Sequence, residues 1–362
     1  MTHSLDHHFQ AALDKFQAEG LYRKLPTTQA WTSDFTSNNY LSLHIPLGSP
    51  DASPSSGSRL LAGNHQHIEE AEAYFAQFLH AEKALLFNSG YTANLGFWST
   101  VPGKSDLVLF DRKVHASIRD GIKLGKATAV GFKHNNLTDL EQKIQRLKIK
   151  HERVFVAVES VYSMDGDLAP LEKLVNLSQR WGTVLVVDEA HGAGTSFPTG
   201  KGWVVDLGLE SQVDFRLVTV GKAFGLHGAF WLGSSEFCAY MINACRAFIY
   251  TTALPNSIFD VNWPLWESQF TTQLHQLHKN ARSLHGLPGK LVSEHPYSPI
   301  KYLPCGSAQK ALDVQGALAK QGIRAQAVRY PTVPKGEEKI RICVNANHTA
   351  KELETLVKEL HL

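Results

Sequence analysis

Amine, acid and imidazole side chains stand at the ends of apolar runs in this chain. Lys222 follows "FRLVTV" and precedes a glycine-bearing turn, "GKAFGLHG". A lysine at a buried strand end is costly unless it has a role or a partner. Burial lowers its pKa, which suits Schiff-base chemistry with a carbonyl compound. Upstream, "VVDEAHGAG" ends another apolar run in Asp188 and, three residues on, His191. His115 follows "DLVLFD", Ser89-Gly90-Tyr91 follows "KALLF", and Glu159 closes "RVFVAVE".

An aldehyde cofactor that joins such a lysine is pyridoxal 5'-phosphate. It needs an anion for its pyridinium nitrogen, a donor to its phenolic oxygen, a ring on its face and a cup for its phosphate. Asp188 can supply the first and His191 the second. His115 can stack on the ring. Ser89, Gly90 and Tyr91 open a helix whose free amides and positive dipole end suit a phosphate. Thr219, three residues before Lys222, adds a hydroxyl.

Other chemistries compete for the same letters. Asp188-Glu189-Ala190-His191 spells a helicase signature, but an ATP-driven motor also needs GxxxxGK[ST] upstream. The one Gly-Lys-Ser, Gly103-Lys104-Ser105, has Trp98 where the first glycine belongs. Gly221-Lys222 is followed by Ala223, which offers no hydroxyl to magnesium. Asp188 and His191 could also ligate a metal, but they need further ligands that nothing in the spacing fixes, so no metal is expected. A plain loop role for the pair loses ground because several other strand ends carry reactive groups as well.

The elements that must position these groups are legible as a pattern. From Gln66 onward, apolar strands alternate with amphipathic helices, which implies a mostly parallel α/β sheet buried on both faces. Ligands of such sheets bind at the carboxyl ends of the strands. "LTDLEQKIQRL" reads as a helix capped by Asn136 or Thr138. "PLEKLVNLSQRWG" reads as one with Pro170 near its start and Gly182 past its end. "GAFWLGS" is a candidate antiparallel strand. After Pro255 the texture changes to a small α+β unit, with "PIKYLP", "RAQAVRYP" and "KIRICVN" as strands. Three parts are expected: residues 1–45 as an N-terminal helix and strand packing with the small domain, 46–254 as the large cofactor domain, and 255–362 as the small domain. A loop rich in turn formers, His44 to Ser58, follows the first part.

Composition sets outer bounds. The chain has 362 residues, 43% hydrophobic and 19% charged, with a formal net charge of +2. No strong field draws it to nucleic acid or to an anionic membrane. The four cysteines, Cys238, Cys245, Cys305 and Cys343, form no CxxC pair and read as reduced thiols. The first residues lack the basic-then-apolar pattern of a signal peptide, and apolar runs such as "VFVAV" are too short to span a bilayer. A cytoplasmic protein is expected.

"TVGKAFGLHGA", "VVDEAHGAG", "FNSGYTAN", "DRKVHASIRDG" and "ESVYSMDGDLAPL" together resemble the α-oxoamine synthases, a family of fold-type-I pyridoxal-phosphate enzymes. The pattern is most similar to the branch that makes 8-amino-7-oxononanoate in biotin synthesis. The likeness runs from Leu21 to the C-terminus. It implies a homodimer with its active site at the interface, acting on an amino acid and an acyl thioester carried by coenzyme A or a carrier protein. The implied reaction is a decarboxylative condensation, L-alanine with a pimeloyl thioester in that branch, giving an amino ketone.

The resemblance also implies roles. Lys222 holds the cofactor and later moves the Cα proton. Asp188 pairs with the pyridine nitrogen, His191 contacts the phenolic oxygen and His115 stacks on the ring. Ser89, Gly90 and Tyr91 lie at the phosphate, Ser163 and Thr219 also hold the cofactor, and Glu159 supports it. Thr251 and Thr252 match a segment that reaches the neighbouring subunit's phosphate. Arg341 matches the arginine that grips the substrate carboxylate. Arg23 and Thr332 match acyl-substrate positions, and Asn39 belongs to the family's N-terminal strand. The 44–58 loop is shorter than the family's, which bears on the acyl donor. The alternative within the same fold is a glycine C-acetyltransferase-like enzyme or an aminotransferase. A subunit that keeps the fold without catalysis would have no need of Lys222.

Overall fold

The computed structural model describes residues 4–23, 25, 30–45, 55–287 and 291–360. Residues 46–54, the middle of the turn-rich loop, lie outside the described residues. The chain opens with α1 (Ser4–Ala18) and β1 (Ser33–Asp34), then α2 (Gln66–Phe78) and β2 (Lys83–Phe87). There follow α3 (Gly90–Thr100), β3 (Leu107–Asp111), α4 (Ala116–Leu124), β4 (Thr128–Phe132) and α5 (Leu137–Leu147). Next come β5 (Val154–Glu159), α6 (Leu171–Trp181), β6 (Val184–Asp188), α7 (Trp203–Asp206), β7 (Phe215–Thr219) and β8 (Ala229–Gly233).

Strands β2 to β8 form one sheet in the order β2-β8-β7-β6-β5-β3-β4. β8 is antiparallel to both β2 and β7, as "GAFWLGS" suggested, and the other pairings are parallel. The central strands are apolar throughout because helices cover both faces: β5 is buried at all six positions. One cluster, around Phe75, Val156, Leu185 and Phe230, lies on one side; another, around Phe97, Trp98, Leu217 and Trp231, lies on the other.

Local chemistry starts and stops the helices. Ser89 and Thr92 form a reciprocal capping box at the start of α3. Asn136, not Thr138, caps α5 by accepting from Asp139 N. α6 follows Pro170 and ends at Gly182, whose φ of 58° is left-handed.

The C-terminal part continues with α8 (Ser235–Ala244), α9 (Arg246–Ile249) and the long α10 (Trp263–Ser283). Then come β9 (Ile300–Pro304), α11 (Ala308–Lys320), β10 (Ile323–Arg324), β11 (Gln326–Val328), β12 (Lys339–Cys343) and α12 (Ala350–Glu359). The order β11-β12-β9 makes an antiparallel sheet with its own core around Phe35, Ile340, Ile342 and Leu356. "RAQAVRYP" is not one strand. It breaks at Ala325, and its first piece, β10, pairs in parallel with β1. The segment after β1 then runs along β12: Cys343 N donates to Phe35 O and Ala346 N to Tyr40 O, both at 2.8 Å. That path carries Asn38 and Tyr40 to the carboxyl ends of the large sheet.

No helix among the described residues is long and apolar enough to cross a membrane.

Candidate active site

The carboxyl ends of β2, β5, β6 and β7 border a cavity of about 300 Å³. Its walls include Ser89, Gly90, Tyr91, His115, Glu159, Asp188, His191, Thr219 and Lys222, nine of the residues singled out from sequence. They come together because parallel strands release their next residues on one edge of the sheet.

Lys222 Nζ lies 3.1 Å from His191 Nε2. Burial pulls the lysine down to about 8, against the opposing charges of Asp188 and Glu159. Burial, and then the Lys222 charge, also holds His191 well below the usual imidazole range, so its ring is neutral near pH 7. The ring's other nitrogen, Nδ1, is 2.8 Å from the Tyr40 hydroxyl. Tyr40 is fully buried, and Arg341 Nη2 donates to its oxygen at 3.5 Å. Lys222, His191, Tyr40 and Arg341 thus form one line of proton-bearing groups from the large sheet to β12.

Asp188 is fixed at both oxygens. Asn94 Nδ2 donates to Oδ2 at 2.8 Å and Ala190 N to Oδ1 at 2.9 Å. Asn94 also donates to Ser117 Oγ at 3.0 Å, and Ser117 Oγ is 2.8 Å from His115 Nδ1. His115 N donates to Glu159 Oε1 at 2.5 Å. Burial, reinforced by the Asp188 charge, drives the Glu159 carboxyl well above its ordinary range. Burial, together with the Lys222 charge and against that of Asp188, lowers His115.

At the start of α3, the first turn-to-turn bond is Ala93 N to Ser89 O. The amides of Gly90 and Tyr91 precede it, so the helix itself leaves them without acceptors. A Cβ on Gly90 would come within 2.6 Å of Thr219 Cγ2, so only glycine lets the helix start sit this close to β7. Thr219 Oγ1 donates to Ala190 O at 3.3 Å.

Seven further sequence candidates stand elsewhere. Arg341 Nε donates to Ser163 O at 2.7 Å, and Ser163 lies on the hairpin that follows β5. Arg23, Thr332 and Arg341 share a second cavity of about 480 Å³ with Arg329 and Met164. Thr251 Oγ1 and Thr252 O both accept from Asn88 Nδ2, at 3.2 and 2.6 Å. Asn39 is exposed and accepts from Ser42 N within its own turn. Its neighbour Asn38 is the one that meets Arg341, at 3.1 Å.

Sequence reasoning gave no site role to Tyr40, Asn38, Asn94 or Ser117. Asn94 carried a signal, since it stands four residues after Gly90 and so shares its helix face. Tyr40 and Asn38 carried none, because their place depends on a path across two sheets.

Residues 33–360 match the family described as aminotransferase class I and II. The chain is 36% identical to a putative 8-amino-7-oxononanoate synthase of Halalkalibacterium halodurans, over 98% of this chain and 95% of that one. It is 34% identical to the 8-amino-7-oxononanoate synthase of Chlorobaculum parvum, over 98% of each. Among solved structures it is similar to the serine palmitoyltransferase of S. paucimobilis, with a TM-score of 0.86 and 29% identity, over 99% of this chain and 97% of that one. It is also similar to the 8-amino-7-oxononanoate synthase of Francisella tularensis, with a TM-score of 0.71 and 27% identity, over 91% of this chain and 96% of that one.

Proposed function

The chain belongs to the aminotransferase class I and II family, among the pyridoxal-phosphate-dependent α-oxoamine synthases, and from that premise we propose that it condenses L-alanine with a pimeloyl thioester. The products are 8-amino-7-oxononanoate, carbon dioxide and the free thiol. The observation that carries this reading is the line Lys222–His191–Tyr40–Arg341, which joins the amine in the first cavity to the buried guanidinium on β12.

The residues fit the cofactor on their own geometry. Asp188 is held by two donors, as an anion serving a pyridinium must be. The open amides of Gly90 and Tyr91, beside Thr219, suit a phosphate. Bound there, pyridoxal phosphate supplies an electron sink for negative charge at the amino acid's Cα.

The chain's own groups do the rest. Lys222, depressed to about 8, is the amine that would hold the cofactor and, once freed, the base that would take the Cα proton. Neutral His191 would face the cofactor's phenolic oxygen with Nε2, while Tyr40 holds the ring through Nδ1. His115 would cover the ring, and Glu159 holds the His115 backbone by accepting from His115 N. Arg341 grips the amino acid's carboxylate. Ser163 adds a contact to the cofactor.

The second cavity supports an acid-bearing acyl donor. Arg23, Arg329 and Arg341 line it, and among the described residues no carboxylate side chain does. A chain ending in a carboxylate is matched there, and an all-alkyl chain leaves Arg23 unanswered. Thr332 adds a hydroxyl on the same wall. We read the active form as a homodimer in which Thr251 and Thr252 reach the neighbour's phosphate. Borohydride reduction of the purified protein, followed by peptide mass analysis, tests the lysine assignment: the cofactor's mass belongs on the peptide holding Lys222.

A further inference from the structure

After β5 the chain makes a tight hairpin, closed by the bridge between Val161 and Leu168 and by Tyr162 N to Asp167 O at 3.0 Å. Its tip reaches the small sheet. Gly166 has φ +72°, and a Cβ there would lie 2.5 Å from Ile300 O on β9. On the same tip stands Asp165, 5% exposed.

Asp165 is held from both sides. Lys113 Nζ donates to its Oδ2 at 2.5 Å, and Lys339 Nζ donates to its Oδ1. Lys113 is two residues before His115. Lys339 is two residues before Arg341 on β12, so both side chains leave the same face of that strand. The ladder of contacts is therefore double: Lys339 meets Asp165, and Arg341 Nε meets the carbonyl of Ser163, two residues earlier in the hairpin. Lys339 is also buried and sits 4.5 Å from the Tyr302 ring centroid, so it has little freedom to turn elsewhere. Burial would raise the Asp165 carboxyl, yet the two ammonium groups hold it below its ordinary range. The anion is thus the form this geometry keeps.

We propose that Asp165 is a positioning residue that locks β12 against the hairpin and so aims Arg341 at the amino acid's carboxylate, while tying the same hairpin to the loop that carries His115. It touches neither substrate nor cofactor. The inference rests on the reading of Arg341 as the carboxylate grip. Loss of the Asp165 charge takes the bonded carboxylate from buried Lys339, on the strand of Arg341, and from Lys113, which keeps only the more distant charges of Asp167 and Glu337. The guanidinium then loses its fixed direction, and fixed direction is what a bidentate grip needs.

The test uses holoenzyme and reads amino-acid binding by the change in the cofactor's absorption band on titration with L-alanine. Asp165→Asn is expected to raise the alanine dissociation constant about tenfold or more, with cofactor content unchanged. Asp165→Glu should recover part of the affinity. Lys113→Met removes only the outer, half-exposed partner and should give a smaller rise in a protein that folds normally. Wild-type affinity in Asp165→Asn overturns the proposal. So does an equal loss of cofactor, melting temperature and alanine affinity in Asp165→Asn and Asp165→Glu alike. Thiol release is measured in the same samples: wild-type protein that binds alanine yet releases no thiol counts against the condensation, while the affinities still decide for or against Asp165.

Discussion

His191 stands between Lys222 and Tyr40, with one ring nitrogen 3.1 Å from the lysine amine and the other 2.8 Å from the phenol. A neutral imidazole has one donor and one acceptor, and here each ring nitrogen has a partner of its own. The phenol contact is buried and the lysine contact part-buried, which makes the arrangement expensive to leave half made.

Replacing Tyr40 by Phe keeps the ring volume and removes only the hydroxyl. His191 Nδ1 then lacks its partner, and so does one donor of Arg341. The expected fall in kcat/KM is about ten- to a hundredfold, in line with ~1–3 kcal/mol for one unsatisfied buried group. Steady-state thiol release measures it, and the melting temperature should change little.

Lys222 sets the pH dependence of cofactor capture by the apoenzyme. Its folded pKa is about 8, below the ordinary lysine value, so the reactive neutral amine gains population as pH rises and is nearly complete above pH 9. Stopped-flow absorbance should show a capture rate that climbs and levels with a midpoint near 8. A rate still rising steeply at pH 10 would mean that burial does not lower this amine.

Asn94 holds Asp188 and Ser117 at once. Asn94→Ala leaves the Asp188 carboxylate short of a donor in a buried place, at about 1–3 kcal/mol. The cofactor's dissociation constant should rise about ten- to a hundredfold, read by equilibrium dialysis. The alanine-induced spectral change should persist at saturating cofactor.

Arg23 bears on acyl choice. Arg23→Ala should raise the KM of pimeloyl-CoA about tenfold and leave that of an uncharged acyl-CoA of similar length nearly unchanged. Parallel KM measurements with the two donors check it. Equal effects on both would remove the case for an acid-binding end in this cavity.

Much of this site was legible in the chain before any folding, and the reason is the parallel sheet. Each strand is a continuous apolar run, so its end is visible, and the residues just after it share one edge. That is how Lys222, Asp188, His191, His115 and Glu159 could be grouped. The capping box at Ser89 and Thr92 and the stop at Gly182 are likewise local chemistry. What depended on paths between sheets was not legible. The stretch "SNNY" gives no sign of which asparagine turns inward: Asn38 meets Arg341 while Asn39 closes its own turn. "RAQAVRYP" reads as one strand, yet β1 captures its first piece. Asp165 looks like any acid in a turn until Lys113 and Lys339 close on it from two sheets.

The central claim is a condensation that releases carbon dioxide and a thiol. The most direct measurement incubates the holoenzyme with a matrix of amino acids and acyl thioesters, reading free thiol and product mass together. L-alanine with pimeloyl-CoA should give the fastest thiol release and a product of the mass of 8-amino-7-oxononanoate, both lost in Lys222→Ala. Pyruvate formed from alanine with no thiol released, or thiol release that does not depend on any amino acid, would contradict it.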